Sequence, residues 1–129
     1  MKIFLIEDDT DDVELLEEAL KANKIIYEID VAKDGSAAVE YVKSGKVNPD
    51  VIVLDFNLPK IHGRDVLIEI KSVSAFKNIP LLILTTSSAK EDIEYSYKHG
   101  ANKYLIKPTS IKQIKETVDV IVELAKKSQ

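Results

Sequence analysis

The chain has 129 residues, 45% hydrophobic and 31% charged, with a formal net charge of -4 and no cysteine. That length suits one domain with a real core and leaves no room for a second, so residues 1–129 are expected to form a single unit without an output domain. The acidic balance lacks the basic footprint of a nucleic-acid or anionic-membrane binder, and the absent thiols exclude disulfides and thiolate chemistry.

The opening MKIFLIEDD has too few apolar residues before its acids for a signal peptide or membrane span, so the protein is expected in the cytoplasm. Within it, Lys2–Ile6 is a short apolar run halted by Glu7, Asp8 and Asp9, the pattern of a strand covered on both faces. Val13, Leu16, Ala19 and Leu20 then recur at helical spacing, with Asp11 and Asp12 at the positive end of the dipole and Asn23 as the stop. Over residues 25–31, Tyr27, Ile29 and Val31 alternate with Glu28 and Asp30, which predicts a strand at a sheet edge. Residues 34–43 read as a helix capped by Gly45, and Asn48-Pro49-Asp50 as a turn. The run Val51–Leu54 is a doubly buried strand that ends in Asp55.

Gly63–Ser72 carries Val66, Leu67 and Ile70 on one helical face, and Pro80 opens the apolar strand Leu81–Thr85. Ser88 and Glu91 have capping-box spacing ahead of a helix that ends at His99-Gly100 and is thin in apolar residues. Residues 104–106 form a last short strand before Lys107-Pro108. A second capping-box pair, Ser110 and Gln113, then opens a helix with a long apolar stripe from Ile111 to Ala125.

Alternating strands and helices predict an α/β fold, a doubly wound parallel sheet of the flavodoxin-like (βα)5 kind. The half-polar second strand belongs at an edge and the apolar first, third and fourth inside; strand order 2-1-3-4-5 satisfies both and puts a crevice between strands 1 and 3. Glu7, Asp8, Asp55, Thr85 and Lys107 all fall at carboxyl ends of strands. Three carboxylates in one crevice repel unless a cation compensates them, and an all-oxygen set favours Mg2+. Magnesium at such a place serves phosphate, with Lys107 neutralising one phosphate oxygen and the Thr85 hydroxyl bonding another. Asp55 is then either a metal ligand only or the nucleophile that accepts the phosphoryl group.

The acid pair in LIEDD, the segment LDFNLP, Thr-Thr-Ser after LLIL, and YLIKP come in the order and spacing of one family: the chain resembles the receiver domain of two-component response regulators. The resemblance spans the whole chain. It implies that Asp55 is phosphorylated by a phosphohistidine on a sensor kinase, and that Glu7, Asp8 and the backbone carbonyl of Asn57 hold Mg2+. It also implies that Lys107 contacts the phosphoryl group, that the Lys107–Pro108 bond is cis, and that Thr85 and Tyr104 move as switch residues. FNLPK, LTTS, EDI, SY, GAN and KP are similar to the stand-alone regulators that work with phytochrome-type kinases. A sensor histidine kinase of that type, and a downstream protein met through the helix 4, strand 5 and helix 5 face, are the implied partners; whether the chain also forms a homodimer is left open by the sequence. Two departures stand out. Glu7 replaces the commoner aspartate, and alternation lets only one of the two acids point straight into the crevice, expected to be Asp8 with Glu7 acting through water. Thr109 replaces the aromatic residue common after Lys-Pro.

Two other functions share parts of the pattern. A Mg2+-dependent phosphatase with an aspartyl nucleophile usually carries a second acid two residues on, where this chain has Asn57. A flavin binder needs a hydroxyl- or glycine-rich loop after strand 1, where this chain is acidic. Asp9, Asp11 and Asp12 are expected to serve the first helix's N-terminus, since EDDTDD lacks the glycine and distal glutamate of a calcium loop. His62 and His99 have no partner at ligand spacing and read as loop or cap residues.

Overall fold

The three apolar runs VIVL, LLIL and IFLI lie side by side in the middle of one parallel sheet. In the computed structural model, which describes residues 1–127 and so omits the last two of the predicted domain, the elements are β1 (Lys2–Ile6), α1 (Thr10–Ala22), β2 (Glu28–Ala32), α2 (Gly35–Ser44) and β3 (Val51–Leu54). Then come α3 (Gly63–Ser72), β4 (Leu81–Thr85), α4 (Lys90–Lys98), β5 (Lys103–Ile106) and α5 (Ile111–Lys127). The strand order is β2-β1-β3-β4-β5, all parallel, as the patterning predicts.

Because side chains alternate across a strand, the central strands supply two cores. Phe4, Ile6, Ile52, Leu54 and Ile83 pack against Val42 of α2 and Leu67 and Ile70 of α3. Ile3, Leu5, Val51, Val53, Leu82 and Leu84 pack against Leu16 and Leu20 of α1 and Ile121 and Leu124 of α5. Both faces of the central strands are therefore closed, and along β3 and β4 charge can appear only where the strand stops. Among the described residues no helix is long and apolar enough to cross a membrane.

Three boundaries differ from expectation. Residues 25–27 are not strand: Lys24 is left-handed (φ 59), and the Ile25 N–H turns back to the Leu20 carbonyl at 3.0 Å, so the end of α1 uses these residues before β2 pairing starts. The Ser88–Glu91 box does not form. Ala89 is the N-cap of α4 without a side-chain bond, and Ser87 does the local work instead, its Oγ accepting from the Ala89 N–H at 3.2 Å and donating to Asp92 at 2.5 Å. At α5 the box is displaced by one residue: Ser110 Oγ accepts from the Gln113 N–H, but the Gln113 side chain reaches Thr109 N–H at 2.8 Å.

Candidate functional site

Three of the site residues stand one step beyond a strand and yet keep one bond to the sheet. The Glu7 N–H donates to Ala32 O at 2.9 Å, Asp55 N–H to Ile6 O at 3.1 Å and Lys107 N–H to Thr85 O at 2.8 Å. Sheet pairing fixes each backbone while the side chain leaves at the carboxyl edge, in the crevice where the strand order reverses.

There the Lys107 ammonium spends its three donors on three carboxylates. Nζ lies 2.7 Å from Asp12 Oδ2, 2.8 Å from Glu7 Oε1 and 2.9 Å from Asp55 Oδ2. Asp55 Oδ1 accepts from the Asn57 N–H at 3.1 Å, and Glu7 Oε2 from the Asp9 N–H at 3.2 Å. Glu7 and Asp55 are buried, 4% and 3% exposed, and Asp8 is exposed at the rim. Each of Glu7, Asp8 and Asp55 offers an oxygen within 4.8 Å of the others, the one such group of potential metal ligands among the described residues. Alternation does bury one of the two N-terminal acids, but it is Glu7 rather than Asp8; its longer stem still brings an oxygen to the common point. All donors are carboxylate oxygens, the chemistry that a hard divalent cation takes.

The site carries more negative than positive charge, and its electrostatics follow. Burial pushes the Glu7 carboxyl from its ordinary 4.5 up to about 7, against the opposing bond from Lys107. For Lys107, burial alone would lower the pKa, but the hydrogen bonds to Asp12, Glu7 and Asp55 outweigh it and hold the amine protonated well above its usual range.

Thr85 is fully buried, with its hydroxyl 3.5 Å from the Ser87 N–H, and Asn57 Nδ2 meets Thr86 Oγ1 at 3.2 Å. Tyr104 lies inward, 8% exposed, its ring edge-on to Phe56 and its hydroxyl donating to Ser87 O at 2.7 Å. Ser87 is thus bonded to Tyr104 through its carbonyl and to Asp92 of α4 through its hydroxyl, while Arg64 of α3 grips the same Asp92 through Nε at 2.9 Å and through Nη2. No cis peptide bond occurs among the described residues, so Lys107–Pro108 is trans, against the cis form implied by the resemblance. His62 is the N-cap of α3, its Nδ1 accepting from the Arg64 N–H, as expected of a cap residue.

Sequence reasoning missed Asp12 and Arg64 at the site, and placed Ser87 beside it without the bonds it makes. Asp12 carried a readable signal: with Asp9 as N-cap, accepting from the N–H groups of Asp11 and Asp12, it is the third residue of α1, and side chains there lean toward the helix N-terminus and hence the crevice.

Comparison with known proteins agrees with this geometry. The response regulator receiver domain family matches residues 3–119. The probable methanogenesis regulatory protein FilR2 of Methanothrix harundinacea is 35% identical over 94% of this chain and 81% of its own length. The response regulator Rcp1 of Synechocystis is 38% identical over 92% of this chain and 84% of its own; its Mn2+-bound crystal structure superposes with a TM-score of 0.83 over 93% of this chain and 90% of that one. The phosphorylated cyanobacterial phytochrome response regulator RcpA superposes with a TM-score of 0.87 at 38% identity, over 99% of this chain and 95% of that one. The matched span, the strand order and the acid-lined crevice together make this chain a member of the response regulator receiver domain family of two-component systems.

Proposed function

We propose that Asp55 accepts a phosphoryl group from a phosphohistidine of a sensor kinase, with Mg2+ held by Glu7, Asp8, Asp55 and the Asn57 backbone carbonyl. The observation that carries this reading is the shared ammonium: Lys107 bonds Asp55 and Glu7 at 2.9 and 2.8 Å beside a triad of carboxylate oxygens suited to a cation. When bound, Mg2+ would offset the repulsion between those carboxylates and the incoming phosphoryl oxygens. An Asp55 oxygen attacks phosphorus, the phosphorus–nitrogen bond breaks, and the imidazole leaves with the bonding electron pair. Lys107 neutralises a phosphoryl oxygen, and Thr85 turns its hydroxyl to another.

The output is read on α4, β5 and α5, where Tyr97 and Ile106 are exposed beside buried Tyr104. The Ser87 carbonyl that holds the Tyr104 hydroxyl sits on the loop leading to α4, so movement at Thr85 is felt there. Similarity to Rcp1 and RcpA supports a kinase of the phytochrome type as the donor, working in the cytoplasm. Incubation with Mg2+ and acetyl phosphate should add one phosphoryl mass to the intact protein and none to Asp55→Asn. No gain with any phosphodonor, or an undiminished gain in the variant, refutes the reading.

Glu7 makes the metal step depend on pH. Its proton must leave before a cation binds, so apparent Mg2+ affinity rises with pH, about tenfold per unit below 7, and levels off above the Glu7 value of about 7. Calorimetric titrations from about pH 6 to about pH 8 test this, with proton release visible as a buffer-dependent enthalpy. A flat affinity over that range contradicts the assignment of Glu7.

A further inference from the structure

Lys107 is shared between two kinds of acid. Glu7 and Asp55 belong to the oxygen cluster that also includes Asp8, whereas Asp12, the partner at 2.7 Å, lies outside it. An ammonium and a divalent cation compete for the same oxygens, and like charges so close repel. A cation at the cluster therefore weakens the lysine's bonds to Glu7 and Asp55 and leaves the bond to Asp12.

The other acid outside the cluster that lines a hollow with Lys107 is Glu116 of α5, which is exposed, whereas Asp12 is already bonded to the ammonium. Beside Lys107, between α1 and α5, is a cavity of about 90 Å³ walled mainly by Leu5, Leu16, Leu84 and Ile114, with Asp12 and Glu7 as its acids. A lysine freed from the cluster has room to move there, and the Asp12 carboxylate, already bonded to it, to hold it. We propose that Asp12 is a positioning residue for Lys107: it draws the ammonium off the cluster when a cation arrives and keeps it within reach of a phosphoryl group on Asp55. This rests on the proposed phosphoacceptor role of Asp55.

Two effects follow from removing Asp12. Without it the ammonium leans wholly on Glu7 and Asp55 and opposes the cation, and once displaced it has lost the carboxylate that held it. Asp12 is partly exposed, its side chain 39% accessible, so each effect is modest, about fivefold.

The test is a double-mutant cycle with Asp12→Asn, Lys107→Met and the double variant, read by Mg2+ calorimetry and by the acetyl phosphate labelling rate at saturating Mg2+. Asp12→Asn should weaken Mg2+ binding about fivefold and slow labelling about fivefold, Asp12→Glu should restore most of both, and in the Lys107→Met background the effect of Asp12→Asn on affinity should vanish. The same loss of affinity with and without Lys107 would make Asp12 a remote charge and overturn the proposal, as would no loss in either background. The two arms separate the readings. A wild type that takes no phosphoryl group refutes the phosphoacceptor role, while the affinity cycle still judges Asp12. A wild type labelled no faster than Asp12→Asn refutes the positioning role alone.

Discussion

Gly63→Ala is expected to lower the unfolding free energy by about 3 kcal/mol and to weaken Mg2+ binding, although alanine is ordinarily the better helix former by about 1 kcal/mol. Gly63 opens α3 directly beneath the turn that follows β3, and its N–H donates to Phe56 O at 3.0 Å. A Cβ there would lie 2.4 Å from Phe56 Cα, 2.6 Å from Asp55 O and 2.9 Å from Phe56 Cδ1. Two of these atoms are backbone and cannot step aside by changing rotamer. Either α3 retreats and opens a gap around Val66 and Leu67, or the chain from Asp55 to Phe56 shifts and carries the Asp55 carboxylate away from Lys107. The first costs packing and the second disturbs the site. Gly45→Ala is the control: its left-handed φ of 65 is strained for alanine, but nothing lies within 4 Å of the new methyl, so the cost there is about 1 kcal/mol and Mg2+ binding is unchanged. Denaturant unfolding of both variants with and without Mg2+ decides the matter. Equal losses in the two would show that close approach at Gly63 does not matter.

The same local reasoning explains what the sequence discloses and what it hides. Val51–Leu54 and Leu81–Thr85 are legible because strands buried on both faces must be apolar throughout, and a charge that follows can only be at an edge. That logic gathers Glu7, Asp8, Asp55 and Lys107 before any coordinates. It weakens at the margins of the sheet. Residues 25–27 have strand composition, but the end of α1 uses them, and composition does not record that competition. Asp12 meets Lys107 across a sequence separation of 95, and its aim depends on which of several acids caps α1. The bonds of Ser87 are hidden for a related reason: with Asp92 engaged by Arg64 of α3, the loop before α4 is organised by a tertiary ion pair in place of the local Ser88–Glu91 box.

Lys107→Met should separate metal binding from phosphoryl transfer. The substitution keeps the apolar stem and removes the ammonium, leaving Glu7, Asp12 and Asp55 without their shared partner. Breaking a buried ion pair from one side costs about 3 kcal/mol, expected here without metal at about pH 8, where Glu7 is ionised. The pH dependence has a definite sign. Glu7 already titrates near 7 with the ammonium present, above its ordinary 4.5, and without the ammonium it moves higher. A carboxyl whose folded value is raised binds its proton more tightly in the native state, so its stability is present in acid and lost as pH climbs from about 4.5 through 7. The variant's deficit therefore shrinks toward about pH 5, where Glu7 is neutral in the folded protein. Mg2+ acts the other way: with the competing ammonium gone, it should bind about tenfold more tightly at about pH 8 and recover much of the lost stability. Labelling by acetyl phosphate should nonetheless slow by more than an order of magnitude at saturating Mg2+, because a cation at the carboxylates does not replace a donor aimed at the transferred group. Tighter binding with slower transfer is an outcome that a solvated lysine cannot produce. A loss of stability that is uniform across pH, with Mg2+ affinity unchanged, would show that Lys107 neither balances these acids nor competes with the metal.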